Sequence, residues 1–186
     1  MTTTSLPRLR RVFTVALALL VMLAVGVVTV QSSAHAGTSE GLRCDYGTAS
    51  SQAVPTARTF SLTATSGYIQ TPDGNTIFMW GYAGPSGQFQ LPGPTLCANQ
   101  GDTVTVSLRN LLGEPVSAVF PGQTGVTANG VPAQPVFDSS STMTSMVQAA
   151  AKGATVTYSF VASRPGTFLY ESGTDVAKQV QMGLYG

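Results

Sequence analysis

The chain has 186 residues, with 9 Lys+Arg, 8 Asp+Glu and a single His, for a formal net charge of +1. Beyond residue 36, six basic and eight acidic side chains leave a net −2 over about 150 residues, the length of one ordinary domain. No basic stripe exists to neutralise phosphates, so nucleic acid is excluded as an expected partner.

The first 36 residues read as a signal peptide. Arg8, Arg10 and Arg11 form a positive start, residues 12–30 are apolar and uncharged, and Ala34-His35-Ala36 fits a small-x-small cleavage site. Arg10-Arg11-Val12-Phe13 resembles a twin-arginine export signal, while the very apolar run suits the general secretory route. Either route predicts a secreted or cell-surface protein. The alternative is an uncleaved leader, the one case in which a membrane is a partner, because the run approaches spanning length.

Residues 37–57 are rich in Ser, Gly, Ala and Thr without core periodicity, and read as a flexible N-terminal extension. From residue 58 to 186 a period of two dominates. Phe60, Leu62 and Ala64 alternate with Ser61 and Thr63. Pro72-Asp73-Gly74-Asn75 supplies turn chemistry, and residues 77–82 form the next strand candidate, in which Phe78, Trp80 and Tyr82 read either as core or as an exposed binding stripe. Val104, Val106 and Leu108 against Thr103, Thr105 and Ser107 give the clearest half-buried strand. Residues 113–138 read as an irregular connection with a short strand near 116–120, and 139–145 as a low-complexity, mobile Ser/Thr stretch. Val156, Tyr158 and Phe160 alternate again, Phe168 and Tyr170 follow a turn, and Val180, Met182 and Leu184 alternate with Gln179 and Gln181 as a closing strand. Residues 146–152 could make a turn of helix at most. The pattern predicts an all-β, two-sheet sandwich with Greek-key connections.

Cys44 and Cys97 are the only cysteines. In an exported chain an even count favours a disulfide, here tying the extension to the strand around residue 95. Two free thiols able to bind Cu(I) are the alternative, with the thioethers of Met143 and Met146 as further soft ligands. The methionines also read as cover for apolar surface.

Two stretches carry a family resemblance. Pro92-Gly93-Pro94-Thr95 runs through Gly101-Asp102-Thr103-Val104 to Arg109-Asn110, and Gly166-Thr167-Phe168-Leu169-Tyr170 runs to Gly183-Leu184-Tyr185-Gly186. They resemble the N-terminal plastocyanin-like (cupredoxin) domain of the multicopper oxidases, over about two thirds of the chain. The resemblance implies a cupredoxin-like Greek-key β-sandwich and, in the family, copper, dioxygen as acceptor and oxidoreductase activity. After the lead-in Glu114-Pro115-Val116-Ser117 that family places two copper-binding histidines, and after Gly166-Thr167 two more. Here those positions hold Val119, Pro121, Glu171 and Gly173. Valine, proline and glycine offer a metal no side-chain donor, and one carboxylate does not replace four imidazoles.

The only histidine, His35, lies in the leader. Without imidazole, Ser-His-Asp and Cys-His arrangements and His-based zinc sites are impossible in the mature chain. No phosphate-binding loop or dinucleotide fingerprint is present, and the carboxylates show no spacing that points to a glycosidase pair. No catalytic residue and no cofactor is therefore assigned to this chain alone. Glu171 reads either as a remnant ligand for a hard cation or as a carboxylate paired with Lys178, Arg164 or backbone. Asp73 and Asp102 read as turn residues.

The expected function is an exported, non-catalytic plastocyanin-like domain, a structural or interaction module. The alternatives are a fragment or subunit of a larger oxidase whose copper lies elsewhere, and a Met/Cys Cu(I) binder. In the family more chain follows the Gly-Leu-Tyr-Gly run, so a domain truncated at its C-terminus is also expected. An open sheet edge would then invite further cupredoxin domains or another chain.

Overall fold

A computed structural model describes residues 43–49 and 56–186. The signal-peptide assignment falls on residues outside this set. Eleven strands are present among the described residues: β1 (Cys44–Asp45), β2 (Thr48–Ala49), β3 (Ala57–Gln70), β4 (Thr76–Ala83), β5 (Thr95–Leu96), β6 (Thr103–Asn110), β7 (Thr127–Ala128), β8 (Val131–Pro132), β9 (Val136–Phe137), β10 (Met143–Ser145) and β11 (Thr155–Val161). One helix follows, α1 (Val176–Met182).

The largest sheet has the order β2-β3-β6-β11-β7-β8, with β4 also paired to β3. All its pairings are antiparallel except β3 with β6. Register explains why alternation was so clear in these strands. Phe60 lies opposite Val106, Val106 opposite Tyr158, and Tyr158 opposite Ala128, so one row of buried side chains crosses four strands. Leu62, Leu108 and Val156 form the next row. Because the side-chain period is two, a one-residue slip would turn both rows to solvent. Each such side chain contributes roughly 1.5–3 kcal/mol on burial, which fixes the register.

The second layer is built from isolated bridges rather than long strands: Val116 with Ala150, Val119 with Glu171, and Glu171 with Tyr185. The strand expected near 116–120 and the one at Phe168 and Tyr170 reduce to these bridges. Their inward side chains still reach the core. Phe120 packs on Tyr158, Phe160 and Tyr170 at 5.8, 5.0 and 6.2 Å between ring centroids.

Two expectations are corrected. Residues 179–182, the first part of the closing strand expected over 179–186, are instead helical within α1, which is bounded by Asp175 at φ 43° and Gly183 at φ 116°. The buried residue of the helix is Gln179, not an apolar one. Its Nε2 donates to Pro115 O (3.0 Å) and its Oε1 accepts from Ser172 Oγ (2.6 Å). A polar anchor leaves no hydrophobic period of 3.6 to read. Residues 139–145 form the turn and second strand of a hairpin rather than a structureless stretch. Asp138 Oδ1 accepts from Ser140 N–H (2.8 Å) and Thr142 N–H (2.9 Å), and β10 pairs with β9. Residues 146–152 contain no helix.

Within the segment 37–57, residues 43–49 supply β1, parallel to β5, and β2, antiparallel to β3. The Cys44–Cys97 disulfide joins β1 to the segment after β5 across a sequence separation of 53. It takes both thiols out of the set of soft metal ligands. Reduction and alkylation, or Cys44→Ser with Cys97→Ser, is expected to lower stability by about 3–4 kcal/mol in urea unfolding. Unchanged stability would show the tether to be idle.

Asp102 is a correction of another kind. It is not merely a turn residue but is fully buried. It accepts from Thr56 N–H (2.9 Å), Asn99 N–H (2.8 Å) and Arg58 Nε (2.5 Å), fastening the start of β3 to the start of β6. The Thr56 amide first, with Arg58 and the Asn99 amide opposing the effect of burial, holds its carboxyl below the ordinary value of 3.8. A depressed folded-state pKa stabilises fully above the unfolded value and is lost as pH falls through the folded one. Asp102→Asn is therefore expected to lower the thermal midpoint at pH 7 and to flatten its decline below about pH 4, read from melts across pH 2–7. An unchanged acid limb would remove Asp102 from the account.

Candidate functional site

The two segments that carry the substituted copper-ligand positions meet at the second layer. Val119 N–H donates to Glu171 O (2.8 Å) and Glu171 N–H to Val119 O (3.2 Å), so residues 119 and 171 sit directly opposite one another. Phe120 and Tyr170, each next to one of them, turn inward to the aromatic core. The other edge of the 170–172 segment is held by 184–186: Tyr170 N–H donates to Gly186 O (2.9 Å) and Ser172 N–H to Leu184 O (2.9 Å).

Gly173 joins the pair. A Cβ placed on it would lie 2.7 Å from Val119 Cγ1, 3.1 Å from Met146 Cβ and 3.3 Å from Ser117 Oγ. Three of the four family ligand positions, 119, 171 and 173, thus converge. Pro121 lies two residues beyond Val119 and is exposed.

The residues present do not fit a copper ion. Val119, Pro121 and Gly173 supply no donor atom, and position 173 lacks room for any side chain. Among the described residues no group of three or more His, Cys, Asp or Glu could hold a metal. Glu171 is half-buried, and the partners expected for it are engaged elsewhere. Lys178 pairs with Glu114 and lies 5.2 Å from the centroid of the Trp80 ring. Arg164 Nη2 donates to Gly122 O (3.1 Å), and its guanidinium sits 5.1 Å from the Phe168 ring. The Lys178–Glu114 pair is exposed and is worth about 0–1 kcal/mol.

Sequence reasoning missed a cluster of hydroxyls at this point. Ser117 Oγ accepts from Gly173 N–H (3.1 Å) and from Thr174 Oγ1 (2.9 Å), and Ser145 Oγ shares a hydrogen bond of 2.7 Å with Thr174 Oγ1. All three hydroxyl residues are buried. Ser117 stands two residues before Val119 and Thr174 directly after Gly173, but nothing in the sequence draws Ser145 to them. Beside the cluster lies an open cleft of about 270 Å³ lined by Pro115, Val136, Thr144, Ser145, Gln148, Ala149 and Thr174, with no titratable side chain among them.

The three buried tyrosines around this end act as donors. Tyr82 Oη donates to Ser117 O (2.6 Å), Tyr158 Oη to Gln148 O (2.6 Å) and Tyr170 Oη to Pro94 O (2.7 Å). Burial pushes all three phenols above their ordinary value, so they stay protonated and donating well into alkaline solution. The Phe78–Trp80–Tyr82 stripe divides: Tyr82 is core, Trp80 half-buried, and Phe78 exposed, where it packs on Tyr68 at 5.5 Å. Met143 and Met146 are both exposed, Met143 opposite Phe137 in the β9–β10 hairpin.

A family profile described as multicopper oxidase matches residues 64–186, two thirds of the chain. The chain belongs to the multicopper oxidase family. Among solved structures, a multicopper oxidase from Pseudomonas thermotolerans is 25% identical, with a TM-score of 0.56 over 70% of this chain and 28% of that one. A second multicopper oxidase is also 25% identical, with a TM-score of 0.57 over 78% and 46% of the two chains. A laccase from Botrytis aclada is 26% identical, with a TM-score of 0.54 over 70% and 21%. This chain therefore spans less than half the length of these multicopper oxidase and laccase structures, and its all-β sandwich is cupredoxin-like. No curated protein sequence matches it. The family depends on copper, which makes the unsuitable donor set of positions 119, 121, 171 and 173 the main departure of this chain.

Filling position 173 should expose the tight contact. Gly173→Ala is expected to cost about 1–3 kcal/mol in urea unfolding, with part of the loss recovered in Gly173→Ala/Val119→Ala. Absence of any recovery would show that Val119 is not the obstacle.

Proposed function

We propose that this chain is an exported, non-catalytic cupredoxin-like domain of the multicopper oxidase family that works as a structural or interaction module. One observation carries the reading: at the place where the family resemblance puts four imidazoles, the chain has two side chains without a donor, one carboxylate and a glycine packed under Val119. Redox cycling of copper needs imidazole nitrogen or soft sulfur, and the disulfide uses both thiols. Among the described residues the exposed thioethers are those of Met143 and Met146, and Cu(I) binding through them is the weaker alternative.

The interaction role is supported by apolar surface near the substituted positions. Phe137, Met143 and Met146 are 58%, 50% and 45% exposed. Solved relatives embed the matched region in longer chains, of which it covers 46% to 21%. The occupant of this surface is accordingly another cupredoxin domain, on the same polypeptide or on a partner chain. The same coverage supports the second reading, a fragment or subunit of an oxidase whose copper lies in other domains. Among the described residues no helix is long and apolar enough to cross a membrane, and export rests on the leader.

Metal analysis of the protein secreted from copper-supplemented cells tests the first reading. It is expected to show well under one copper per chain and no absorption band from copper–ligand charge transfer. Stoichiometric copper with such a band would overturn it.

A further inference from the structure

We infer that the buried hydroxyls of Ser117, Ser145 and Thr174 join the chain segments at this end of the sandwich, work that a metal held by both pairs of family ligand positions would also do. The inference rests on the copper-free reading above. The family ligand positions lie in pairs on two segments, 119 with 121 and 171 with 173, so any metal held by both pairs is also a cross-link between them. Here that cross-link has no donors. Two other devices span the gap: the backbone exchange between Val119 and Glu171, and the hydroxyl cluster.

The cluster is closed on itself. Ser145 and Thr174 are 2.7 Å apart, Thr174 and Ser117 2.9 Å, and Ser145 and Ser117 3.3 Å. Thr174 Oγ1 and, more distantly, Ser145 Oγ donate to Ser117 Oγ, while Ser145 and Thr174 share the shortest of the three contacts. The Gly173 N–H also donates to Ser117 Oγ, at 3.1 Å. The ring draws in a third segment as well, because Ser145 lies on β10 and the neighbouring Met146 N–H donates to Gly173 O at 2.9 Å. Ser117 is 0%, Ser145 5% and Thr174 9% exposed. A satisfied network in such surroundings is rigid, and removing one member leaves the others short of partners.

The geometry also shows why the two arrangements exclude one another. The ring has Gly173 N–H against Ser117 Oγ, and a Cβ at 173 would come within 2.7 Å of Val119 Cγ1, so Val119 would have to move to admit one. A ligand side chain there would push on Val119, Met146 and Ser117 together.

Thermal melts and amide hydrogen exchange on the full chain test this. Ser117→Ala, Ser145→Ala and Thr174→Val are each expected to lower the melting midpoint by at least about 3 °C. The double variant Ser117→Ala/Thr174→Val is expected to lose less than the sum. Exchange at the amides of Val119, Met146 and Glu171 is expected to quicken at least about tenfold, while β6 and β11 stay near wild type. Thr174→Ser, which keeps the hydroxyl, is expected to leave those three amides slow. Unchanged melting, additive losses, or exchange that rises evenly across the sheet would overturn the inference. A stoichiometric rise in the wild-type midpoint on adding Cu(II) would instead defeat the copper-free reading, and leaves the exchange result to be judged by itself.

Discussion

The close approach of residues 117–119 to residues 171–174 is the constraint on which this end of the molecule depends. It is set by backbone: two hydrogen bonds between Val119 and Glu171, and a glycine at 173 that lets Val119 and Ser117 come against the main chain. Once the segments are this near, the side chains between them must be small, and those present are methyls and hydroxyls. A buried polar group is tolerated only when partnered, and Ser117, Ser145 and Thr174 partner one another. The chemistry open to this site follows from that packing. Among the described residues it has no imidazole, no free thiol and no group of three or more metal-ligating side chains, which supports the copper-free reading proposed above.

The rest of the fold supplies a rigid base for that contact. Phe120 and Tyr170 leave the two segments on their inner side and meet in the aromatic cluster with Tyr82, Tyr158 and Phe160. The tyrosine hydroxyls reach backbone carbonyls of Pro94, Ser117 and Gln148, so three irregular stretches are pinned from below. At the opposite corner Asp102 plays a comparable part with charge, gathering the Thr56 and Asn99 amides and Arg58 where β3 and β6 begin. Both devices satisfy backbone groups that lie outside the strand ladders.

The long strands were legible in the sequence because each buries one face. The alternation of Val104, Val106 and Leu108 located β6 at its first residue and within two of its last, and Val156 with Tyr158 located β11 within one. The cysteine pair was legible from count and compartment, and the substituted positions from the flanking Pro-Gly-Pro-Thr and Gly-Thr runs. The helix was not legible, because Val180, Met182 and Leu184 imitate a strand while the residue that anchors the helix is Gln179. The β9–β10 hairpin was hidden in Ser139–Thr142, whose turn is organised by one carboxylate, Asp138, rather than by glycine or proline. The hydroxyl ring was beyond reach for a further reason: its members come from three separate segments, and serine and threonine carry no periodic signal.

The most direct measurement of the central claim is a crystal structure of the secreted protein soaked in Cu(II), with anomalous data collected at the copper absorption edge. The expected result is no anomalous peak beside Val119, Glu171 and Gly173, with Ser117 Oγ still in contact with Thr174. A strong peak at that place, with the 117–119 and 171–174 segments parted around it, would contradict the account.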